Sequence, residues 1–291
     1  MEYKLKSNML KRTLLLLALA IPALAQQDPN WTKPFPPFKI LGNVYWVGTW
    51  DLSTYLIVTP QGNILVNCGL VDTVPQIIAG VEQLGFKFSD TKILTATHGH
   101  VDHVAGMAEL KRLTGAKLMI SEPDVTLLES GGKTDFRFGN TPSANFEPVK
   151  VDQALKNGDK ISLGGTELTA HLNPGHTKGA TSFTLDVKEG AKTYHVIIAN
   201  LGSINPGVKM SGMPNYPGIA DDYARTFHDQ KEMKIDVFLA SHASQFRMHE
   251  KYKPGDPYNP DRFVDPKGFH DAVERLEQTY RKQVDAERAK P

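Results

Sequence analysis

Of 291 residues only one, Cys68, is a cysteine, so no internal disulfide can staple the fold, and stability must come from a large core or bound metal. An excess of one charge is missing too. Thirty-three Lys and Arg stand against 32 Asp and Glu, for a formal charge of +1 with no basic stripe, which removes the electrostatic ground for a nucleic-acid partner. No apolar run reaches the ~20 residues of a membrane span, and no short-period repeat or low-complexity tract is visible. The apolar stretch Thr13 to Ala20 follows Lys4, Lys6, Lys11 and Arg12 and precedes Ala23-Leu24-Ala25. That order reads as an export signal over residues 1–25, with a mature start near Gln26; Met9 would begin an equally good signal. The rival reading, a membrane anchor, is opposed by the short run and by Pro22. The expected location is therefore the periplasm or the exterior, off the membrane once the signal is cleaved.

What is present fits one domain over residues 26–291. Hydrophobic residues make up 40% and charged residues 22%, an ordinary globular balance. After a Pro-rich segment with Trp31, Phe35 and Phe38, short β-branched or aromatic runs predict strands at 44–47, 55–58, 63–66 and 92–97. Helical spacing covers 74–84, ending at Gly85, and 103–113, closed by Gly115. A second half repeats the pattern, with strands expected at 160–163, 167–172, 181–187, 194–199 and 236–240 and helices at 221–233 and 266–289. Two such mixed halves suggest two sheets face to face with helices outside.

The chemistry concentrates in Thr97-His98-Gly99-His100-Val101-Asp102-His103, at a turn between a buried strand and a helix. Four donors of the imidazole and carboxylate type preferred by zinc fall within six residues. His98 and His100, two apart in an extended turn, can face one way, and Gly99 leaves room for close backbone approach. Asp102 stands at a helix N-cap position, where its carboxylate can cap, bind metal, or do both. His176, in Asn173-Pro174-Gly175-His176-Thr177-Lys178-Gly179, and His242, in Leu239-Ala240-Ser241-His242, follow strands. Each alone is as readily a loop residue as a ligand. His171, His195, His228, His249 and His270 lack such a setting and read as structural or solvated.

In this order, His-x-His-x-Asp-His, Pro-Gly-His-Thr and Ser-His, the motifs resemble the metallo-β-lactamase superfamily over essentially the whole chain after the signal. The resemblance implies a four-layer αββα sandwich with metals at one sheet edge. By motif it assigns His98, His100 and His176 to a first zinc and Asp102, His103 and His242 to a second, two zinc ions per chain. An Asp-His-His second site is similar to the third subclass of the class B β-lactamases. The other two subclasses use a cysteine between the counterparts of His176 and His242, whereas Cys68 precedes the constellation and reads as a small buried residue. The runs Asn205-Pro206-Gly207 and Tyr216-Pro217-Gly218 add to the likeness. Where some such enzymes place serines to hold the substrate carboxylate, this chain departs with Gly202-Ser203-Ile204-Asn205: only Ser203 could serve directly, with Asn205 or Lys209 as substitutes, or else these residues only shape a loop.

The implied activity is opening of penicillins, cephalosporins and carbapenems by a zinc-bound hydroxide, giving antibiotic resistance, in a chain expected to be monomeric. Asp102 is a candidate proton shuttle, a task water can also fill. Thioester hydrolases similar to glyoxalase II are the main alternative, with lactonases beside them. The former carry a metal-bridging aspartate where this chain has Asn200, and a neutral amide bridges two cations poorly. Flavodiiron-type redox relatives want that bridge and a flavin domain, and nuclease relatives a further domain. The fold hosts many chemistries, so the motif speaks for the family more strongly than for the substrate.

Overall fold

The computed structural model describes residues 28–289, and the export signal expected over 1–25 lies outside them. Seven strands form the first sheet in sequence order: β1 (Phe38–Leu41), β2 (Val44–Trp46), β3 (Tyr55–Thr59), β4 (Gly62–Val66), β5 (Thr91–Thr95), β6 (Lys117–Ser121) and β7 (Gln153–Leu155). The first four are antiparallel hairpins, and from β4 to β7 the pairing is parallel. Helices make those parallel crossovers possible: α1 (Val74–Gln83), α2 (Val101–Val104), α3 (Met107–Thr114) and α4 (Val125–Glu129) lie between them in sequence.

The second sheet runs β12-β11-β10-β9-β8, made of β8 (Lys160–Leu163), β9 (Thr166–Leu172), β10 (Thr181–Glu189), β11 (Lys192–Ala199) and β12 (Val237–Ala240). Its long helices are α5 (Ile219–Glu232) and α7 (Pro266–Arg288), with the one-turn α6 (Met248–Lys251) between β12 and α7. No helix among the described residues is long and apolar enough to cross a membrane.

Alternation along the strands makes this an αββα sandwich. Trp46, Tyr55, Ile57 and Ile64 of the first sheet share one buried cluster with Leu168, Ala170, Phe183 and Val196 of the second. Leu56, Leu65 and Leu94, on the opposite side of the first sheet's pleat, pack with Ile77, Val81 and Leu110 from α1 and α3. On the outer side of the second sheet, Phe238 meets Phe269 of α7 with ring centroids 5.4 Å apart. The Tyr55 hydroxyl crosses between the sheets and donates to the Ala240 carbonyl at 2.6 Å, just before Ser241-His242.

Most expected elements lie within a residue or two of their predicted bounds. The helix expected over 103–113 is instead two, α2 and α3. The Cys68 amide and thiol both point at the His103 carbonyl, at 2.9 and 3.4 Å, and so take the acceptor that a continuous helix would offer to Met107. β1, β6 and β7 were not foreseen. Prolines precede the first, and the last is three residues long with two of them exposed.

Candidate metal centre

Turns at strand ends gather the donors at the seam of the two sheets. β5 ends at Thr95, and the chain turns through His98 and His100 into α2, which carries Asp102 and His103. His176 sits in the turn between β9 and β10, and His242 directly after β12. Two glycines make the approach possible. A Cβ on Gly99 would lie 2.7 Å from Leu127 and 2.9 Å from Leu128, and one on Gly175, at φ +135°, would meet the Tyr223 ring at 2.8 Å.

One donor atom each from His98, His100 and His176 lies within 4.8 Å of the others, and the same holds for His98, Asp102 and His103. His100 Nδ1 is 3.2 Å from His176 Nε2. Asp102 Oδ2 stands 3.2 Å from His103 Nε2 and 3.4 Å from His242 Nε2, which brings His242 to the second group. Asp102 makes no cap. His100 occupies the N-cap position of α2, no side chain caps it, and the Asp102 carboxylate turns to the imidazoles.

The site's own chemistry asks for a cation. Both ring nitrogens of His98 and the Nδ1 of His103 are buried without a hydrogen-bond partner, and His103 Nε2 faces only the Asp102 carboxylate. Leaving such groups unpaired costs ~1–3 kcal/mol each, and a metal would take their lone pairs. Burial, then the neighbouring imidazoles, press His98 well below the usual histidine range, and burial takes His176 down to about 3, so both imidazoles are neutral, the form that can bind a metal. For His242 burial pulls down, but bonds to Asp102 and Asp51 prevail and hold it up at about 9. Burial would raise Asp102, yet His103 and His242 keep it well below the carboxylate range. A field that holds a proton on His242 is one that favours a divalent ion.

Around the donors lies a groove of about 490 Å³. Trp31, Leu127 and Phe138 give it apolar walls; Ser203 and Asn205 also line it, and no Lys or Arg does among the described residues. Lys209 is therefore not a groove residue. The Ser203 carbonyl accepts from His176 Nδ1 at 2.8 Å and its hydroxyl lies 3.2 Å from the same atom, so Ser203 supports a histidine as well as facing the groove. Asn200 is buried off the groove, its carbonyl taking Gln230 Nε2 at 2.7 Å. Cys68 is buried, and burial raises its thiol. Of the remaining histidines, His171 bonds Thr184, His195 bonds Asp186, and His249 stacks on Trp50 at 4.0 Å.

Sequence reading missed three aspartates. Asp124, 1% exposed, accepts from Gly99 N, the Thr177 hydroxyl and Gly179 N at 2.8–2.9 Å, and so joins two ligand-bearing turns. Asp51 meets His242 Nδ1 at 2.9 Å and Asp135 meets His100 Nε2 at 3.2 Å. Each is remote in sequence from what it serves, and no local pattern marks it.

Fold and site together define the class, and comparison with known proteins agrees. The profile of the metallo-β-lactamase superfamily matches residues 47–189. A β-lactamase from Chitinophaga pinensis is 45% identical with a TM-score of 0.88, over 90% of this chain and 99% of that one. The class B3 di-zinc metallo-β-lactamase LRA-12 from an Alaskan soil metagenome is 47% identical with a TM-score of 0.86, over 89% and 97%. A hydroxyacylglutathione hydrolase of Rhodopseudomonas palustris (strain BisB5) is 28% identical over 136 residues, which are 47% of this chain and 44% of that protein. The chain thus spans less than half the length of that curated relative. It belongs to the metallo-β-lactamase superfamily and is a metal-dependent hydrolase. Its structural neighbours include class B3 metallo-β-lactamases that match nine-tenths of its length.

Proposed function

We propose that this protein is a dizinc β-lactamase, with His98, His100 and His176 holding the first zinc and Asp102, His103 and His242 the second. The observation that carries this is the donor set at the groove floor, five imidazoles and one carboxylate, with the neutral amide of Asn200 buried and absent from the groove lining. The likeness to β-lactamases over nine-tenths of the chain supports the substrate class. When bound, zinc supplies a Lewis acid and brings the pKa of water near neutrality.

The chain's own residues do the rest. Asp102 Oδ2 faces His103 and His242. Its Oδ1 then receives a proton from the attacking water and returns it to the departing amide nitrogen. Trp31, Leu127 and Phe138 pack against the apolar flank of a bicyclic ring system, and Ser203 and Asn205 donate to its carboxylate. With no Lys or Arg in the groove, the positive charge that draws an anionic substrate comes from the metals.

The curated hydroxyacylglutathione hydrolase favours a second reading, a thioesterase, and Asn200 opposes it. Purified protein offered a penicillin, a carbapenem and an S-acylglutathione, with and without chelator, separates the two. β-Lactam opening that the chelator abolishes is expected; zinc-loaded protein that leaves every β-lactam intact would overturn the proposal. Export by a signal ending near Ala25 goes with it and is read from the mature N-terminus by mass spectrometry.

A further inference from the structure

An imidazole that gives one nitrogen to a metal must place its other N–H. Three of the five candidate ligands do so in distinct ways. His176 Nδ1 goes to a neutral carbonyl, Ser203 O, at 2.8 Å. His100 Nε2 and His242 Nδ1 instead go to full negative charges, Asp135 Oδ2 at 3.2 Å and Asp51 Oδ2 at 2.9 Å. One carboxylate thus backs each proposed metal group, from a loop that carries no ligand.

Both carboxylates are held rigidly. Asp135 Oδ1 accepts from Arg137 N and Phe138 N at 2.7 and 2.5 Å, and its side chain is 3% exposed. Asp51 Oδ1 accepts from Ser244 N at 3.0 Å, while its carbonyl takes Ala243 N at 2.7 Å. Neither has a Lys or Arg within ion-pair distance among the described residues; their ionic contacts are the histidines. A carboxylate so placed fixes the tautomer of its imidazole and raises the basicity of the opposite nitrogen. That nitrogen is Nδ1 in His100, turned to His176, and Nε2 in His242, turned to Asp102.

We infer that Asp135 and Asp51 are positioning residues, one for each metal: Asp135 sets His100 for the first and Asp51 sets His242 for the second. This rests on the two-zinc reading above. The rival role for both is merely to cap their turns, and an asparagine can still cap, since its amide oxygen accepts from the same N–H groups. Asp135→Asn and Asp51→Asn therefore keep the cap and remove the charge.

Zinc affinities are measured on the full chain by competition with a chromophoric chelator, in wild type and in a His242→Ala background that retains only the first metal. Asp135→Asn should weaken the metal left in His242→Ala by about 10- to 100-fold, and Asp51→Asn should leave it unchanged. In the otherwise wild-type chain Asp51→Asn should weaken one of two zincs by a similar factor. Unchanged affinities in folded variants, or equal weakening of the first metal by both, would overturn the inference. Imidazole ¹H–¹⁵N spectra of the zinc-loaded wild type need no variant to fold: a proton on His100 Nε2 and on His242 Nδ1 is expected, and either opposite tautomer refutes that residue's role. A wild type that binds fewer than two zincs defeats the two-zinc reading instead, while the His100 tautomer and Asp135→Asn still decide the role of Asp135.

Discussion

The two sheets contribute to the centre in different ways. The first delivers four donors from one turn, His98, His100, Asp102 and His103, within six residues. The second delivers two isolated histidines, His176 and His242, from turns 66 residues apart in sequence. The first set is preorganised by local geometry and the second by tertiary contacts. Asp124 ties the His176 turn to Gly99. Thr97 ties the other, because its hydroxyl accepts from Ser241 Oγ at 2.9 Å, while its carbonyl, taking Thr181 N at 2.7 Å, adds a second tie on the His176 side. A compact motif is assembled by its own turn, whereas the scattered histidines reach it only while the seam is closed.

The sharpest way to probe the compact side is Asp102→Ala. It removes the one carboxylate of the donor set without touching either seam tie. We expect the rate of β-lactam hydrolysis to fall by ~10²–10³; the metal-free fold loses the contacts to His103 and His242 but strands no backbone N–H group. A variant that keeps more than a tenth of the wild-type rate would deny Asp102 its place.

Asp124→Ala attacks the seam. It strands Gly99 N, the Thr177 hydroxyl and Gly179 N in a buried place, at a cost of about 3–5 kcal/mol in urea unfolding of the metal-free protein. The contrast with Asp102→Ala should be plain: there the loss of rate dominates, here the loss of stability. Equal stability losses in the two variants would erase the distinction between the sheets.

That distinction also explains what was legible in the sequence. The 98–103 run could be read as a metal motif because its donors are neighbours in the chain. The strand at 55–59 was legible as a short β-branched and aromatic run buried on both faces, and that at 181–189 because one face is apolar at period two. His176 and His242 read as candidate ligands only through the order of the motifs, since a single histidine after a strand carries no local signal. Asp51, Asp124 and Asp135 were illegible for the same reason in stronger form, each an ordinary turn aspartate until the fold brings it to its partner. The split between α2 and α3 was hidden because its cause, Cys68 at the His103 carbonyl, is a contact across 35 residues.

Thr97→Val gives a finer test of the same seam. Valine keeps the shape and the backbone bonds but deletes the hydroxyl that meets Ser241 Oγ and Asn67 Oδ1, at 2.9 and 3.2 Å. A loss of about 1–3 kcal/mol is expected in urea unfolding. Zinc loss should favour the second metal, because Ser241 precedes His242. Preferential loss of the first metal would assign the Thr97 tie to the wrong turn.

The smallest expected effect lies far from the centre, where the second sheet's long helix is pinned to the loop after the site. Glu287, near the end of α7, accepts from Met210 N at 3.0 Å, Ser211 N at 2.7 Å and Gln283 Nε2 at 2.8 Å. Burial would raise its carboxyl, yet these bonds prevail and hold it at about 2. A carboxyl lowered in the folded state stabilises the fold above its unfolded pKa, near ~4.3, and that contribution fades as pH falls from there through about 2. Glu287→Gln keeps an acceptor oxygen but no charge. At neutral pH it should cost less than about 1 kcal/mol, since water screens so exposed a group. Between about pH 4.3 and about pH 2, the span of that fading, the wild type should lose urea stability more steeply than the variant. Parallel acid curves would mean that Glu287 holds the loop by shape alone.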